Sequence, residues 1–337
     1  MQSRNTVVLF AALAVANILA WAWALAAFRH YPLLLGTAAL AYGFGLRHAV
    51  DADHIAAIDN VTRKLMQRGQ RPMEVGLFFS LGHSTVVIAL SVAVAATATA
   101  LGSRFADFRE LGGIIGTSVS AFFLFAIAAA NFAVLIAIHR GFQAARQGRP
   151  PAGEDLDLLL SGRGLLTRLL RRLFQLIGRS WHMYPLGLLF GLGFDTATEV
   201  GLLGISATEA SKGLPVWSIL VFPALFTAGM SLVDSLDSAL MVGAYGWAFD
   251  KPIRKLYYNM TITLVSVMVA VLVGGIELLG LLADRLHLNG PLWGAIDQLS
   301  DNFSLVGMLV LGIFLSSWLI SVFIYRVKRY DDIEVTA

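Results

Sequence analysis

The sequence predicts an all-α polytopic membrane protein of about eight transmembrane helices. The first observation is composition: 57% of the 337 residues are hydrophobic and 14% charged, where a soluble domain is about 25% charged. The second is mean hydropathy, which is positive. The third is the recurrence of apolar runs at membrane length. A helix needs about 20 such residues to cross the hydrocarbon core, and eight segments qualify: 7–28, 32–58, 74–101, 112–138, 183–206, 215–247, 257–283 and 304–326.

The first run follows a single arginine, Arg4, and is too long for the h-region of a signal peptide, so it is read as a span. The chain contains no cysteine, which removes disulfides, thiolate metal ligands and thiol nucleophiles together. Its net charge of +3 raises the possibility of a nucleic-acid partner, but the placement of the cations argues otherwise. With the N-terminus in the cytoplasm, 19 of the 25 Lys and Arg residues fall in cytoplasmic loops and tails. Five face outward, and Arg47 lies in a span. Cytoplasmic loops carry such an excess. The basic surplus therefore reports topology, with both termini cytoplasmic and the chain in the inner membrane; no nucleic-acid partner is expected.

Four regions follow: a membrane half over 1–139, a cytoplasmic linker over 140–182, a second membrane half over 183–326 and a tail over 327–337. The linker starts polar and then turns into "LLLSGRGLLTRLLRRLFQLIGRSW". Its leucines and arginines alternate at helical spacing, which suggests an amphipathic helix on the inner leaflet.

The two halves share a pattern. "GFGLRHAVD" (43–51) resembles "GLGFDTATE" (191–199), and "FFSLGHSTVV" (78–87) resembles "LFTAGMSLVD" (225–234), at offsets of 148 and 147 residues. Span 2 then corresponds to span 5 and span 3 to span 6. Because three spans separate each pair, the copies run in opposite directions through the membrane, giving an inverted repeat of spans 2–4 and 5–7. Secondary transporters use such repeats around a midplane site.

Ionisable groups within spans are costly and mark function. Here they concentrate in four spans: Arg47, His48, Asp51, Asp53, His54 and Asp59 in span 2; His83 with Ser84 in span 3; Asp195, Thr196, Thr198 and Glu199 in span 5; Ser231, Asp234, Ser235 and Asp237 in span 6. Spans 1, 4 and 8 carry no buried acid or base and read as supporting helices. Imidazole and carboxylate together suit divalent first-row metals; sulfur is limited to methionine, with Met230 at the repeat position of His83. The metal-ligand candidates are His48, Asp51, Asp53, His54 and His83.

At about 100° per residue, one regular helix aims His48, Asp51 and His54 at a common centre but turns Asp53 away. Either the helix breaks, for which Gly43 and Gly45 offer a place, or the acids divide their work. One acid can instead neutralise Arg47, an i, i+4 neighbour of Asp51. Asp59, beside Asn60, reads as a helix-end or surface group. Asp195 and Glu199 are i, i+4 neighbours placed to support ligands, accept protons or pair with Arg47. His30, His139, His182 and His287 lie in loops or at boundaries and receive no role.

"RHAVDADHI", "LGHSTVV", "LGFDTATE" and "GMSLVDSLD" resemble, in order, the four signature segments of the nickel/cobalt transporter family (NiCoT), eight-span prokaryotic permeases. His48, Asp53 and His54 match that family's His-x4-Asp-His pattern. The resemblance implies uptake of Ni2+ or Co2+, with His48 and His54 essential and His83 and the acids of spans 5 and 6 next. It also implies that a polar residue of span 1 influences the choice between nickel and cobalt, a role that Asn17, the one amide in that span, could fill. Pathway positions are then Asn17, Arg47, Ser84, Asp195, Thr196, Glu199, Ser231, Asp234 and Asp237.

No "GxxxxGK[ST]" occurs, so neither ATP hydrolysis nor an ATPase subunit is expected. "HExxH" is absent, and three intramembrane histidines are too few for a His-box diiron site, so an enzyme is not expected and no cofactor beyond the transported ion. An exporter of related architecture would carry a histidine-rich cytoplasmic loop; here that loop has only His139 at its start.

Overall fold

The computed structural model describes residues 2–97, 104–146, 177–193, 197–249 and 252–327, and over these the protein is helical without a strand. Twelve α-helices follow in order among them: α1 Gln2–Phe28, α2 Pro32–His48, α3 Ala52–Gln67, α4 Val75–Thr97, α5 Arg104–Arg146, α6 Met183–Phe190, α7 Ala197–Ser211, α8 Val216–Ile219, α9 Val221–Phe249, α10 Pro252–Arg285, α11 Pro291–Asp301 and α12 Phe303–Val327. Among the described residues, five segments are long and apolar enough to cross a membrane: Asn5–Phe28, Val75–Ala95, Ile114–Ala133, Val216–Ala244 and Met260–Arg285. Two further spans form if α2 with α3, bent by 51°, and α11 with Phe303–Ser317 of α12, bent by 78°, are each counted as one.

These seven match seven of the eight expected spans. The remaining one, 183–206, is divided: α6 ends at Phe190 and α7 starts at Ala197. The expected amphipathic helix of the linker falls largely on 147–176, outside the described residues, as do Asp195, Thr196 and the tail beyond Val327.

The break that divides span 2 lies elsewhere than at its glycines. Proline opens α2 at Pro32, where its fixed φ and missing N–H cost nothing. The helix runs through Gly43 and Gly45 and stops at His48. Gly45 serves close approach instead: a Cβ there would collide with the Phe226 carbonyl of α9. Ala49 stays helical, and Asp51, extended at φ −66° and ψ 147°, becomes the N-cap of α3. An aspartate here usually accepts a backbone N–H. Asp51 makes no such capping bond; its carboxylate is engaged by side chains described below. At the joint, α12 comes so close that a Cβ on Gly307 would collide with the Val50 carbonyl.

Helix α3 is the axis of the molecule, buried along nearly its whole length although half its residues are polar. Ile55 and Ala56 pack with Leu124 of α5, Met241 of α9, Val269 and Val273 of α10 and Val306 and Val310 of α12. Ala57, Ile58, Val61 and Leu65 pack with Phe79 of α4 and Met183 and Phe190 of α6. A third cluster joins α1, α2 and α9 through Phe28, Ala41, Phe222 and Phe226, and holds Met230 fully buried among apolar neighbours. Helix α9 packs against α2, α3 and α4 together, so these three helices meet along one partner.

Arg63 and Lys64, expected in a cytoplasmic loop, are instead buried in the last turns of α3. Arg63 donates to Thr263 Oγ1 at 2.9 Å and to Asn60 Oδ1 at 3.3 Å, and Asn60 also accepts from Asn131 of α5 at 2.6 Å. Asp59 is not a surface group either: it is fully buried and accepts from Ser266 of α10 at 2.9 Å.

Candidate metal centre

Three histidines from three helices converge where α2, α3 and α4 meet. His48 ends α2, His54 lies in the first turn of α3 and His83 sits mid-way along α4. Each offers one ring nitrogen, and the three lie within 4.8 Å of one another. All three are buried, at 1%, 0% and 2% exposure. Of the two alternatives left by the sequence, a broken helix or acids that divide their work, the structure has the break, which places the two histidines on separate helices and Asp51 between them.

Carboxylates orient the rings. Asp51 Oδ2 lies 2.9 Å from His48 Nδ1, and Thr198 Oγ1 is 3.3 Å from the same nitrogen. Asp234 Oδ1 lies 3.4 Å from His54 Nδ1. A carboxylate on Nδ1 holds the proton there and leaves Nε2 as a lone pair, the usual arrangement behind a ligating histidine. His48 Nε2 faces the centre, and His54 Nε2 is buried with no hydrogen-bond partner. His83 Nε2 lies 2.8 Å from Glu199 Oε1 and 3.0 Å from His48 Nε2. Metal–imidazole bonds of about 2.1 Å meeting at a right angle put their nitrogens about 3.0 Å apart. The His48–His83 spacing therefore fits two neighbouring positions around one divalent ion. Right-angled nitrogen and oxygen donors suit Ni(II).

Apolar walls close the site. The Phe79 ring meets His54 edge-on at 4.8 Å, and Phe226 lies 5.6 Å from His48. Phe190 meets Phe79 and Phe123 meets Phe190, each edge-on.

The other sequence-selected residues divide clearly. Asp53 is half-buried beside the cluster, within electrostatic reach of His48 and Asp234, but is not one of the converging donors. Arg47 is exposed and donates from Nε to Ser304 Oγ at 3.3 Å. Ser304 in turn donates to Asp51 Oδ1. Ser84 is buried and its hydroxyl has no partner. Ser231 accepts from Ser80 at 3.2 Å. Asp237 is buried with neither oxygen hydrogen-bonded, one turn beyond Asp234 and within electrostatic reach of Asp59. Asn17 is tied to Tyr42, whose hydroxyl donates to its Oδ1 at 3.0 Å, and itself donates to the Ala228 carbonyl at 3.3 Å; it touches none of the three histidines.

Two participants were not singled out from the sequence. Ser304 starts a span read as merely supporting, and no pattern around it points to Asp51. Phe79 precedes the "LGHS" motif by two residues, and only the fold turns it onto His54.

Residues 34–324 match the NicO family, described as high-affinity nickel-transport protein. The high-affinity nickel transport protein of Cupriavidus necator is 61% identical over 331 residues, covering 98% of this chain and 94% of that relative. The hydrogenase nickel incorporation protein HupN of Bradyrhizobium diazoefficiens is 54% identical over 319 residues, covering 95% and 84%. The cobalt transport protein NhlF of Rhodococcus rhodochrous is 44% identical over 291 residues, covering 85% and 81%. No solved structure matches the chain.

Proposed function

The chain belongs to the NicO family of high-affinity nickel-transport proteins, and from that premise we propose that it takes Ni2+ up across the inner membrane through the His48, His54 and His83 site. It is a nickel transporter and not an enzyme; the ion is cargo. The likeness to a cobalt transport protein supports Co2+ as a second substrate, since both ions take imidazole and carboxylate.

The observation that carries this reading is the convergence of three buried imidazole nitrogens within 4.8 Å, in a space walled by phenylalanine. His48, His54 and His83 are the ligands. Asp51 and Asp234 orient the first two, and Glu199 stands ready as a fourth donor or as acceptor of the proton that the ion displaces from His83 Nε2. Asp53 adds negative charge at the approach. Asp195 and Thr196 are assigned to the pathway on their sequence motif alone, and Ser84 extends the polar wall. Asp234, Asp237 and Asp59 continue it along α9 and α3 towards the Arg63 end, which the cytoplasmic loop charge marks as the inner side. Arg47 tempers the acid next to it, Ser231 lines α9, and Asn17 acts on ion choice at a distance, through Tyr42 of α2.

The halves 1–139 and 183–326, joined by the linker 140–182, form the moving parts, with both termini and the tail 327–337 cytoplasmic. A divalent cation entering a negative interior gains about 4.6 kcal/mol per 100 mV, twice the value for one charge, so the membrane potential suffices to concentrate metal. Accumulation of 63Ni in cells carrying the wild type, His48→Ala or empty vector tests the reading. Wild-type cells should exceed both controls. Less metal in wild-type cells than in vector cells would reverse the direction, and equal accumulation with His48→Ala would remove the site.

A further inference from the structure

We infer that Ser304, on the last span, is a positioning residue for the metal site, acting through Asp51 on the aim and tautomer of His48. The inference rests on the reading of His48 as a ligand. Ser304 is nine-tenths buried in the first turn of α12, 253 residues from Asp51 in sequence. Its hydroxyl donates to Asp51 Oδ1, while Asp51 Oδ2 faces His48 Nδ1 at 2.9 Å. Each oxygen of the carboxylate thus has one task, and neither is spent on capping α3, although Asp51 occupies the N-cap. With the hydroxyl as a donor on one oxygen, the carboxylate plane is fixed and the other oxygen keeps the proton on His48 Nδ1. That leaves His48 Nε2 as a lone pair at the centre, 3.0 Å from His83 Nε2.

Three further features agree. Arg47 Nε donates to Ser304 Oγ at 3.3 Å, so the hydroxyl proton is left for Asp51. The positive end of a helix favours a nearby anion, and the Ser304 bond puts Asp51 beside the first turn of α12. Gly307, one turn on, lets the α12 backbone lie directly against the Val50 carbonyl at the break. Span 8 is therefore fitted to the joint of span 2 by both its backbone and its hydroxyl.

The test is 63Ni uptake kinetics and equilibrium Ni2+ binding by purified protein for Ser304→Ala, Ser304→Thr, Asp51→Asn, the Ser304→Ala/Asp51→Asn double variant and His48→Ala, with Val306→Ala as a packing control on the same helix turn. Loss of an outer partner of a ligand typically costs 10–100-fold in metal affinity. Ser304→Ala, one bond further out, should weaken binding and raise KM about tenfold, with Vmax per transporter within about twofold. Bound Co2+ should show a shifted visible spectrum in Ser304→Ala, because the donor geometry changes. Ser304→Thr keeps the hydroxyl and should bind as the wild type does. Val306→Ala should lower the melting temperature and leave KM and the Co2+ spectrum alone. In the Asp51→Asn background Ser304→Ala should have no further effect on binding.

Wild-type affinity in Ser304→Ala, equal impairment in Ser304→Thr, or an undiminished effect in the double variant would each overturn the inference. Should Ser304→Ala fail to fold, wild-type binding by Ser304→Thr supports the inference and impaired binding overturns it. If His48→Ala binds as the wild type does, the reading of the site itself fails; if His48→Ala loses binding and Ser304→Ala does not, only the positioning role fails.

Discussion

His48 and His83 hold their Nε2 atoms 3.0 Å apart although 35 residues and the whole of α3 separate them. Two ring nitrogens rest so close only with a proton or a cation between them, and Glu199 at 2.8 Å competes for that proton. Removing His83 should therefore cost affinity rather than assembly. His83→Ala is expected to weaken Ni2+ binding by at least about tenfold, the lower bound for loss of even an outer partner, as measured by equilibrium binding on protein that still elutes as a single peak.

The two glycines of the span 2 motif should behave oppositely. A methyl at Gly45 meets the Phe226 carbonyl, whereas one at Gly43 meets nothing within 4 Å. Gly45→Ala is expected to cost about 1–3 kcal/mol by overpacking. Gly43→Ala should be neutral or stabilise by about 0.5–1 kcal/mol, since glycine is the poorer helix former. Thermal unfolding of the detergent-solubilised protein separates the two.

Arg63→Leu should destabilise without touching the ligands. The change removes the bonds to Thr263 and Asn60, each worth about 1.5 kcal/mol when the donor is charged, so a loss of about 3 kcal/mol is expected. A lower melting temperature with unchanged KM for 63Ni is the outcome that supports a structural role. An altered KM would place Arg63 on the ion's path instead.

Asp237→Asn should slow release. Its carboxylate is buried without a hydrogen-bond donor, so a passing cation is the partner that would draw out its charge. Two charges about 4 Å apart share about 4 kcal/mol at the dielectric of a protein surface. A fall of about tenfold in Vmax, with KM little changed, uses about 1.4 kcal/mol of that. Stopped-flow or filter-based uptake over a range of nickel concentrations gives both constants.

Much of this was legible in the residues. Hydrophobic runs located five of the spans, and seven if each bent pair is one span, because span length is set by the bilayer and not by the partners of a helix. Ionisable residues inside those runs pointed to His48, His54 and His83 because burial makes them conspicuous. What the sequence hid were relations created by the break. A helical wheel drawn through 47–54 assumes a continuous helix; α2 ends at His48 and α3 starts at Ala52, which frees His54 from the angle assigned to it. The site's apolar lid was hidden for a similar reason: in a sequence that is mostly apolar, Phe79 looks like its neighbours. The polar end of α3 misled in the other direction. "DNVTRK" reads as a surface strip, yet Asp59, Asn60 and Arg63 find partners on α5 and α10, and those partners are ordinary Asn, Thr and Ser.

The 51° bend between α2 and α3 has a mechanical meaning once the donors are placed on it. His48 belongs to the segment before the joint and His54 to the segment after it, so on the proposed reading an ion held by both would act as a pin through a hinge. Opening or closing the hinge changes the distance between the two nitrogens, and with it how tightly the ion is held. Loading the pin and setting the angle are then one degree of freedom.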